Sequence, residues 1–349
     1  MNIISKFQST IEARLIRNVL AVALCSLIIL LSINISLFAS QTIKLIASLG
    51  ILYVISKISP ETWFIFAEMI YLCTLFLLVI NLLGMGTIKR WSSVGGLFLQ
   101  VSEFAKISMI LMLSKFLAIN KLNWFSLSKA SLIILIPAFL IFKQPNLGTT
   151  LIFLATGFTM IWIKGINKKV LICAIALAGC AAPVVWSKML PYQKTRITSF
   201  MHKNADPRGS SYQTIQSIIA IGAGGFFGSK ALHNKLGFVP ENHTDFLFSC
   251  FAEHFGFIAS LILICLLFAL LIKLFDASSL ISDQRKRFFC IGFMLLLFVQ
   301  IFMNIGMNIG ILPVTGVVLP FFSYGGNSML SLFFGLAITI NFIKYHKAN

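Results

Sequence analysis

Acidic side chains are scarce enough in this sequence for each to be weighed as a candidate for chemistry. Its 349 residues include only 10 Asp and Glu, against 28 Lys and Arg. Because an ionisable side chain inside a membrane is costly to keep, acids within or beside apolar stretches are candidate functional groups. Four acids lie on or just outside what we predict to be the outer membrane boundary: Glu103, Asp206, Glu241 and Asp245.

Asp245 stands at the beginning of a long apolar stretch, directly after a loop of glycine, proline and hydrogen-bonding side chains that includes Glu241. The helix dipole favours a carboxylate at the N-terminus of a helix, so Asp245 could serve the helix alone. A carboxylate at the membrane boundary could equally serve a reaction. The residues by themselves leave both interpretations open.

Glu103 and Lys106 lie three residues apart near the start of another apolar stretch. That spacing allows an ion pair on one face of a helix. The pair either staples the helix or lines a polar cavity that holds the head group of a substrate. Both interpretations have equal support from the sequence.

The segment 188–244 is too long and too patterned to be a simple connection. It carries cations that suit phosphate or diphosphate, and a solvated basic loop is the alternative. These cations are Lys194, Arg196, Lys203 and Arg208.

A polar stripe runs along a later apolar stretch, where Gln300, Asn304 and Asn308 recur every four residues. Side chains at this spacing share one helical face. The stripe either joins neighbouring helices by hydrogen bonds or lines a polar cavity.

The elements that must position these side chains are membrane helices. Hydrophobic residues make up 58% of the chain and charged residues 11%, whereas soluble domains have about 25% charged residues. We therefore predict an all-α polytopic membrane protein, with residues 1–349 forming a single integral membrane domain of about ten transmembrane helices. The apolar stretches are 18–39, 43–57, 62–84, 103–119, 127–142, 148–164, 169–188, 245–273, 287–310 and 325–343.

Charge distribution predicts the orientation of these spans. With the N-terminus inside, 16 of the 28 Lys and Arg fall in inner segments, against five in short outer loops and adjoining helix ends. Both termini, 1–17 and 344–349, are then cytoplasmic, and 188–244 is a large extracytoplasmic loop between spans seven and eight. The motif-bearing regions all face outward, so we expect the active face there.

The net charge of +18 indicates membrane topology and anionic head groups rather than nucleic acid, because no basic run alternates with aromatic residues in a soluble segment. The seven cysteines lie in apolar stretches and none forms C-x-x-C, so we predict neither a disulfide framework nor a zinc site.

Five ordered motifs on the outer side resemble the SEDS family of shape, elongation, division and sporulation proteins. The resemblance covers roughly residues 80–345, and the most specific match is the segment around Asp245, P-E-N-H-T-D-F. The motifs are 86–91 with 100–106, 143–149, 196–217, 240–246 and 313–326. Length and the short N-terminus resemble the rod-shape branch of the family, and the division branch is the nearest alternative.

Four positions depart from the family pattern. Val101 stands where proline is usual, Asn146 where aspartate is usual, and Asn327 where serine is usual. His254 replaces a second acid after Glu253. These departures mark a diverged member and bear on the shape of the outer cavity.

The resemblance implies a peptidoglycan glycosyltransferase of the bacterial inner membrane. Its substrate would be lipid II, a disaccharide-pentapeptide on undecaprenyl diphosphate. The acceptor's 4-hydroxyl would displace the diphosphate lipid from the donor's anomeric carbon, with inversion in a single step. A partner is also implied, a class B penicillin-binding protein that supplies transpeptidation.

That chemistry needs a base, cations for the leaving group and a groove for the lipid. We expect Asp245 to be the base and Glu103 to position Lys106. A divalent cation could assist the diphosphate, although no acidic cluster in the sequence demands one. The expected substrate-binding residues are Arg196, Lys106, Glu103, Arg90, Lys143, Gln144 and Glu241.

Two other functions remain open at this point. A flippase for the lipid-linked precursor would also have ten spans and a polar cavity, but alternating access would place gating residues on both faces. A non-catalytic scaffold for wall-synthesis partners would explain the departures from the family pattern.

Overall fold

The structure is a computed structural model that describes residues 3–83, 92–94, 97–166, 179–180, 183, 186–201, 211–229 and 241–345. These ranges are helical apart from connecting turns and one short antiparallel hairpin, β1 (Ser92–Val94) and β2 (Leu97–Leu99). The helices are α1 (Ile3–Ile33), α2 (Ile35–Ile55), α3 (Pro60–Ile65), α4 (Ala67–Leu83), α5 (Val101–Ile119), α6 (Trp124–Lys143), α7 (Leu147–Ile163), α8 (Pro191–Met201), α9 (Tyr212–Ala223), α10 (Leu247–Leu280), α11 (Gln284–Asn308) and α12 (Gly326–Lys344).

Six of the described helices are long and apolar enough to cross a membrane, judged by length and composition. They are α1 from Ile11, α2, α6, α10, α11 and α12, and two shorter apolar helices are α4 and α7. The prediction of an all-α membrane fold is confirmed. Nine of the ten predicted apolar stretches coincide with helices, and the other, 169–188, lies largely outside the described residues. The exact number of ten therefore stays a prediction.

The boundary between the first two spans differs from the sequence prediction. The predicted stretch 18–39 runs across a break at Asn34, whose backbone is extended and whose side chain accepts a hydrogen bond from the Ser36 amide. Asn34 thus caps the N-terminus of α2. Hydropathy alone missed this break because apolar residues continue on both sides of it.

Helix α12 lies at the centre of the bundle, packed against α2, α5 and α11. Its Gly335 leaves no room for a side chain beside Phe293 of α11, so the two helices approach closely there. By contrast, large apolar side chains on helices at the periphery of the bundle remain exposed, such as Ile43, Phe76 and Ile262. Apolar surfaces of this extent are suited to lipid.

Helix α10 is broken at Gly256, where the backbone takes φ 78° and ψ −172°. The glycine-rich segment 224–229 runs beside the break and pairs with its backbone: Phe257 N donates to Gly225 O (2.8 Å), and Ser229 N donates to Glu253 O (2.9 Å). Irregular backbone at membrane depth is tolerated only where protein covers it in this way. Because the helix is broken at Gly256, the part of α10 before the break, which follows Asp245, need not continue the direction of the part after it.

Four charged residues link α3 to the start of α11, at the end of the bundle away from Asn308. Arg285 Nη2 lies 3.0 Å from Glu61 Oε2 and 2.8 Å from Asp283 Oδ2, and Lys286 Nζ lies 3.1 Å from Glu61 Oε1. Burial raises the pKa of Asp283, but hydrogen bonds and charge attraction from Arg285 outweigh it and hold that pKa below its usual range.

Candidate active site

A cavity of about 430 Å³ opens at the end of the bundle where α5, α7, α10 and α12 begin and α11 ends. Its wall brings together four of the predicted site residues, which lie up to about 140 positions apart in the sequence. They are Glu103, Lys106, Glu241 and Asp245. Further polar lining residues are Gln100, Asn146, Thr149, Thr244, Gln300, Tyr324, Asn327 and Ser328.

Asp245 is held at the cavity by a tight turn that begins at Glu241. The Glu241 carbonyl accepts hydrogen bonds from Thr244 N (3.1 Å) and Phe246 N (3.3 Å), and its φ of 54° closes the turn. The Glu241 carboxylate also accepts from the Thr244 hydroxyl at 2.9 Å. Asp245 thus lies two residues before the first residue of α10, half-buried, with a backbone that is fixed on its N-terminal side.

The polar stripe of α11 holds the backbone of Asp245 from the other side. The Asp245 carbonyl accepts from Asn304 Nδ2 at 2.9 Å and from Asn308 Nδ2 at 3.1 Å. Asn304 Nδ2 also donates to Val317 O at 2.7 Å, which ties the outer loop 311–325 to the same point. The predicted joining role of the stripe is confirmed for these two residues, whereas Gln300 lines the cavity.

Glu103 and Lys106 form a buried ion pair, with Lys106 Nζ 2.8 Å from Glu103 Oε1. Only 1% of Lys106 and 6% of Glu103 is exposed. The other carboxylate oxygen, Glu103 Oε2, accepts from the Ser331 hydroxyl of α12 at 3.5 Å. Both sequence interpretations of the pair therefore hold, since it is a helical ion pair and also part of the cavity wall.

Arg196 on α8 reaches the same wall near Gly316. A Cβ atom at Gly316 would lie 3.5 Å from Asp245 Oδ2 and 3.9 Å from Arg196 Nη1. Gly316 has a φ of 69°, a conformation that favours glycine. Because Gly316 has no side chain, no atom of this residue's side chain separates the Asp245 carboxylate from the Arg196 guanidinium.

Asn146, where the family usually has aspartate, caps α7 as well as lining the cavity. Its side-chain oxygen accepts from Thr149 N at 3.3 Å. The next residue but one, Gly148, has no space for a side chain because a Cβ atom there would overlap the Thr315 carbonyl oxygen. The second and fifth sequence motifs therefore meet here, and Asn146 supplies a neutral amide where the family pattern supplies a charge.

A second cation beside the cavity, Lys44 of α2, was not singled out by the sequence. Its Nζ lies 3.8 Å from the centre of the Tyr324 ring, and its side chain packs against Gly326. Burial raises the pKa of Tyr324, but hydrogen bonds from Lys44 and Ser40 outweigh it and lower that pKa. Lys44 was counted only as one outer-loop charge, because nothing in its local sequence links it to residue 324.

Two other predicted substrate-binding residues in the described part of the chain are not among the residues that line the cavity. The Gln144 amide donates to Leu78 O at 2.8 Å and so joins α6 to α4. Lys143 is exposed, with its Nζ 5.6 Å from the centre of the Phe139 ring. Arg90 lies outside the described residues, as do Asp206 and Arg208. The binding roles of all these residues stay predictions.

The charge balance of the wall depends on cations that lie just beside it. The Glu103–Lys106 pair is neutral overall, so Glu241 and Asp245 leave the wall acidic until Arg196 and Lys44 are counted. The described residues hold no group of three or more His, Cys, Asp or Glu side chains suited to a metal ion. Positive charge for an anionic ligand thus comes from side chains at the edges of the cavity.

Comparison with known proteins gives a consistent result. A family model described as cell cycle protein, and named for FtsW, RodA and SpoVE, matches residues 10–348. The peptidoglycan glycosyltransferase MrdB of Escherichia coli strain K12 is 33% identical over 308 residues, which cover 86% of this chain and 83% of the relative.

Two solved structures share the fold over nearly the whole length. One, described as the structural coordination of polymerization and crosslinking by a peptidoglycan synthase complex, has a TM-score of 0.83 at 29% identity, covering 96% of this chain and 97% of the other. The rod shape determining protein RodA of Thermus thermophilus has a TM-score of 0.73 at 25% identity, with the same 96% and 97% coverage.

Proposed function

The chain belongs to the FtsW, RodA and SpoVE family of cell cycle proteins, and on that premise we propose that it is a peptidoglycan glycosyltransferase that polymerises lipid II during cell elongation. The relative named MrdB and the RodA structure support the elongation branch over the division branch. The reaction joins the 4-hydroxyl of one lipid II molecule to the anomeric carbon of another. Undecaprenyl diphosphate leaves, and the anomeric centre inverts.

Asp245 is the general base of this proposal. The observation that carries it is the placement of a half-buried carboxylate on the wall of a polar cavity, with its backbone held by Asn304 and Asn308. A fixed carboxylate within reach of a hydroxyl can take its proton in the transition state. Asn308 Oδ1 also accepts from Ser249 N at 3.2 Å, so the first turn of α10 has a capping contact from α11 and does not rely on Asp245 alone.

Arg196 is assigned to the leaving diphosphate. Its guanidinium lies beside Gly316, on the same side as the Asp245 carboxylate. A planar guanidinium pairs with phosphate oxygens through two parallel hydrogen bonds, and it stabilises negative charge that grows as the diphosphate departs. A divalent cation that assists this step stays an additional prediction.

Lys106 and Glu103 are assigned to the head group. Lys106 uses one N–H on Glu103 and has further donors for a ligand that enters the cavity. Glu103 fixes the ammonium in place, so the donors point in a set direction when substrate arrives.

The active face is proposed to face outward, with both termini in the cytoplasm. The excess of Lys and Arg in the predicted inner segments, at the end of the bundle opposite the cavity, supports this orientation. A class B penicillin-binding protein is the proposed partner, because a structural neighbour is described as coordinating polymerization with crosslinking.

Polymerisation of labelled lipid II by purified protein tests the proposal. Unmutated protein, with and without its partner, should yield glycan polymer, and Asp245→Asn protein should bind lipid II but yield none. Asp276→Asn, an exposed acid at the other end of α10, is the matched control and should polymerise normally.

The same preparations separate this function from transport. Folded, lipid II-binding protein that makes no polymer even with partner and divalent metal, yet moves lipid II between vesicle leaflets, would replace the glycosyltransferase with a flippase.

A further inference from the structure

One buried amide on the cavity wall has an acceptor that nothing in the described part of the protein satisfies. Gln300 is 1% exposed, lines the cavity, and its Oε1 has no hydrogen-bond partner among the described residues. Leaving a buried acceptor unpaired costs about 1–3 kcal/mol, so such a group in a binding cavity is suited to a donor on the ligand.

The direction of the helices places Gln300 on the floor of the cavity. Helix α11 ends at the cavity, so Gln300 lies about one turn deeper than Asn304, which holds the Asp245 carbonyl. Helices α5 and α7 begin at the cavity, so Lys106 and Ile152 are also deep within it. The floor thus combines an ammonium donor, an amide acceptor and an apolar side chain.

A diphosphate does not fit this floor. Lys106 already pairs with Glu103 at 2.8 Å, so the floor carries no net positive charge to offset a buried dianion. Phosphate oxygens at neutral pH also offer few donors to the Gln300 oxygen. A neutral group with one acceptor, one donor and a small apolar part does fit.

We propose that the floor of the cavity binds the 2-acetamido group of the acceptor sugar, with Gln300 Oε1 accepting its N–H. Lys106 then donates to the acetamido carbonyl, and Ile152 contacts its methyl group. In a pyranose the 2-amide and the 4-hydroxyl are separated by one ring carbon. A sugar whose 4-hydroxyl is at Asp245 therefore reaches about one helical turn deeper, to Gln300.

This inference rests on the proposed function, and it identifies a selectivity site for the acceptor. Two substrates test it: lipid II, and lipid II in which the 2-acetamido group of the N-acetylglucosamine is replaced by hydroxyl. Polymerisation rates and binding of both lipids to protein in nanodiscs are measured for unmutated protein and for Gln300→Met, which has similar volume but no amide.

The effect of removing the acetamido group from the lipid and the effect of Gln300→Met in the protein should not add. Gln300→Met is expected to lower kcat/KM and affinity for lipid II about three- to tenfold, the range for one hydrogen bond. Removal of the acetamido group should lower both by at least as much, because the contacts to Lys106 and Ile152 are lost as well. Gln300→Met should therefore discriminate between the two lipids about three- to tenfold less than unmutated protein does, because the contact to the acetamido N–H is already gone.

Asn18→Leu is the control for a merely structural effect. Asn18 is a buried amide that joins α1 to α10 by donating to Leu266 O at 2.8 Å, away from the cavity. Loss of this hydrogen bond should change polymerisation and binding of both lipids by the same factor.

A Gln300→Met protein that loses the same factor on both lipids, or that binds lipid II as well as unmutated protein does, overturns the acetamido site. Acetamido-dependent binding without any polymer from unmutated protein would instead contradict the glycosyltransferase proposal and leave the site in place.

Discussion

At the scale of single residues, Glu103 and Lys106 form a buried ion pair on the cavity wall. Glu103→Gln or Lys106→Met alone should lower the free energy of unfolding by about 3–5 kcal/mol, because the remaining charge stays buried without its partner. The double variant should recover most of that stability, yet polymerise lipid II more slowly because it lacks the ammonium. Thermal unfolding in detergent and lipid II polymerisation measure the two effects separately.

The exposed pair of Glu68 and Lys115, also close at 3.0 Å, is the matched control. Glu68→Gln should cost less than Glu103→Gln, because Lys115 lies about one turn from the end of α5 and can extend its ammonium to the head-group region when its partner is lost. Equal destabilisation by Glu68→Gln and Glu103→Gln would show that burial does not set the strength of the site's pair.

Residues close in sequence could be predicted better than residues brought together by the fold. The spacing of Glu103 and Lys106 was enough to predict their contact, because it lies within two turns of one helix. The position of Lys44 beside Tyr324 could not be predicted, because their contact depends on how α2 packs against α12. For the same reason the meeting of Arg196 and Asp245 near Gly316 followed only from the family resemblance.

At the scale of secondary-structure elements, the break in α10 depends on the glycines that pack against it. Gly228 has a φ of 92°, and a side chain there would overlap the His254 carbonyl. Gly228→Ala should therefore lower the free energy of unfolding by about 2 kcal/mol or more and reduce polymerisation. The sequence showed the run of glycines but not its role, because the partner backbone lies about 30 residues further along the chain.

Gly222→Ala is the control, since a Cβ atom at this position in α9 would have nothing within 4 Å. Alanine is favoured over glycine within a helix by about 1 kcal/mol, so this variant should keep or gain stability. Thermal unfolding of the two variants side by side measures the difference, and equal loss in both would contradict the packing role.

The start of α11 depends on Asp283, whose side chain accepts from Arg285 N at 2.9 Å. Its pKa lies below its usual range in the folded protein, so the ionised form is stabilised and the contribution is complete above the unfolded pKa. It is lost as the pH falls through the folded pKa, below about 4. Asp283→Asn should lower thermal stability at pH 7, and this difference from unmutated protein should shrink as the pH falls below about 4, measured by unfolding at a series of pH values.

At the scale of the whole molecule, the two ends of the bundle differ in chemistry, and the proposed reaction belongs to the end that has the cavity. The cavity end has Asp245, Arg196 and an acidic wall, while the other end has the cluster of Arg285 with Glu61. Since lipid II is polymerised where its disaccharide is exposed, only the outward orientation gives the enzyme access to its substrate. Orientation is therefore a condition of the proposed function.

Labelling of single cysteines in spheroplasts tests this orientation, with two exposed positions at opposite ends of the bundle. Thr195→Cys on α8 should react with a membrane-impermeant maleimide in intact spheroplasts, and Ser279→Cys near the end of α10 should react only after permeabilisation. The unmutated protein, whose own cysteines lie in the apolar stretches of the sequence, gives the background. The reverse pattern would place the cavity on the cytoplasmic side of the membrane. The excess of Lys and Arg at the other end of the bundle would then lie outside, which contradicts the positive-inside rule, and the protein could not polymerise lipid II in the outer leaflet.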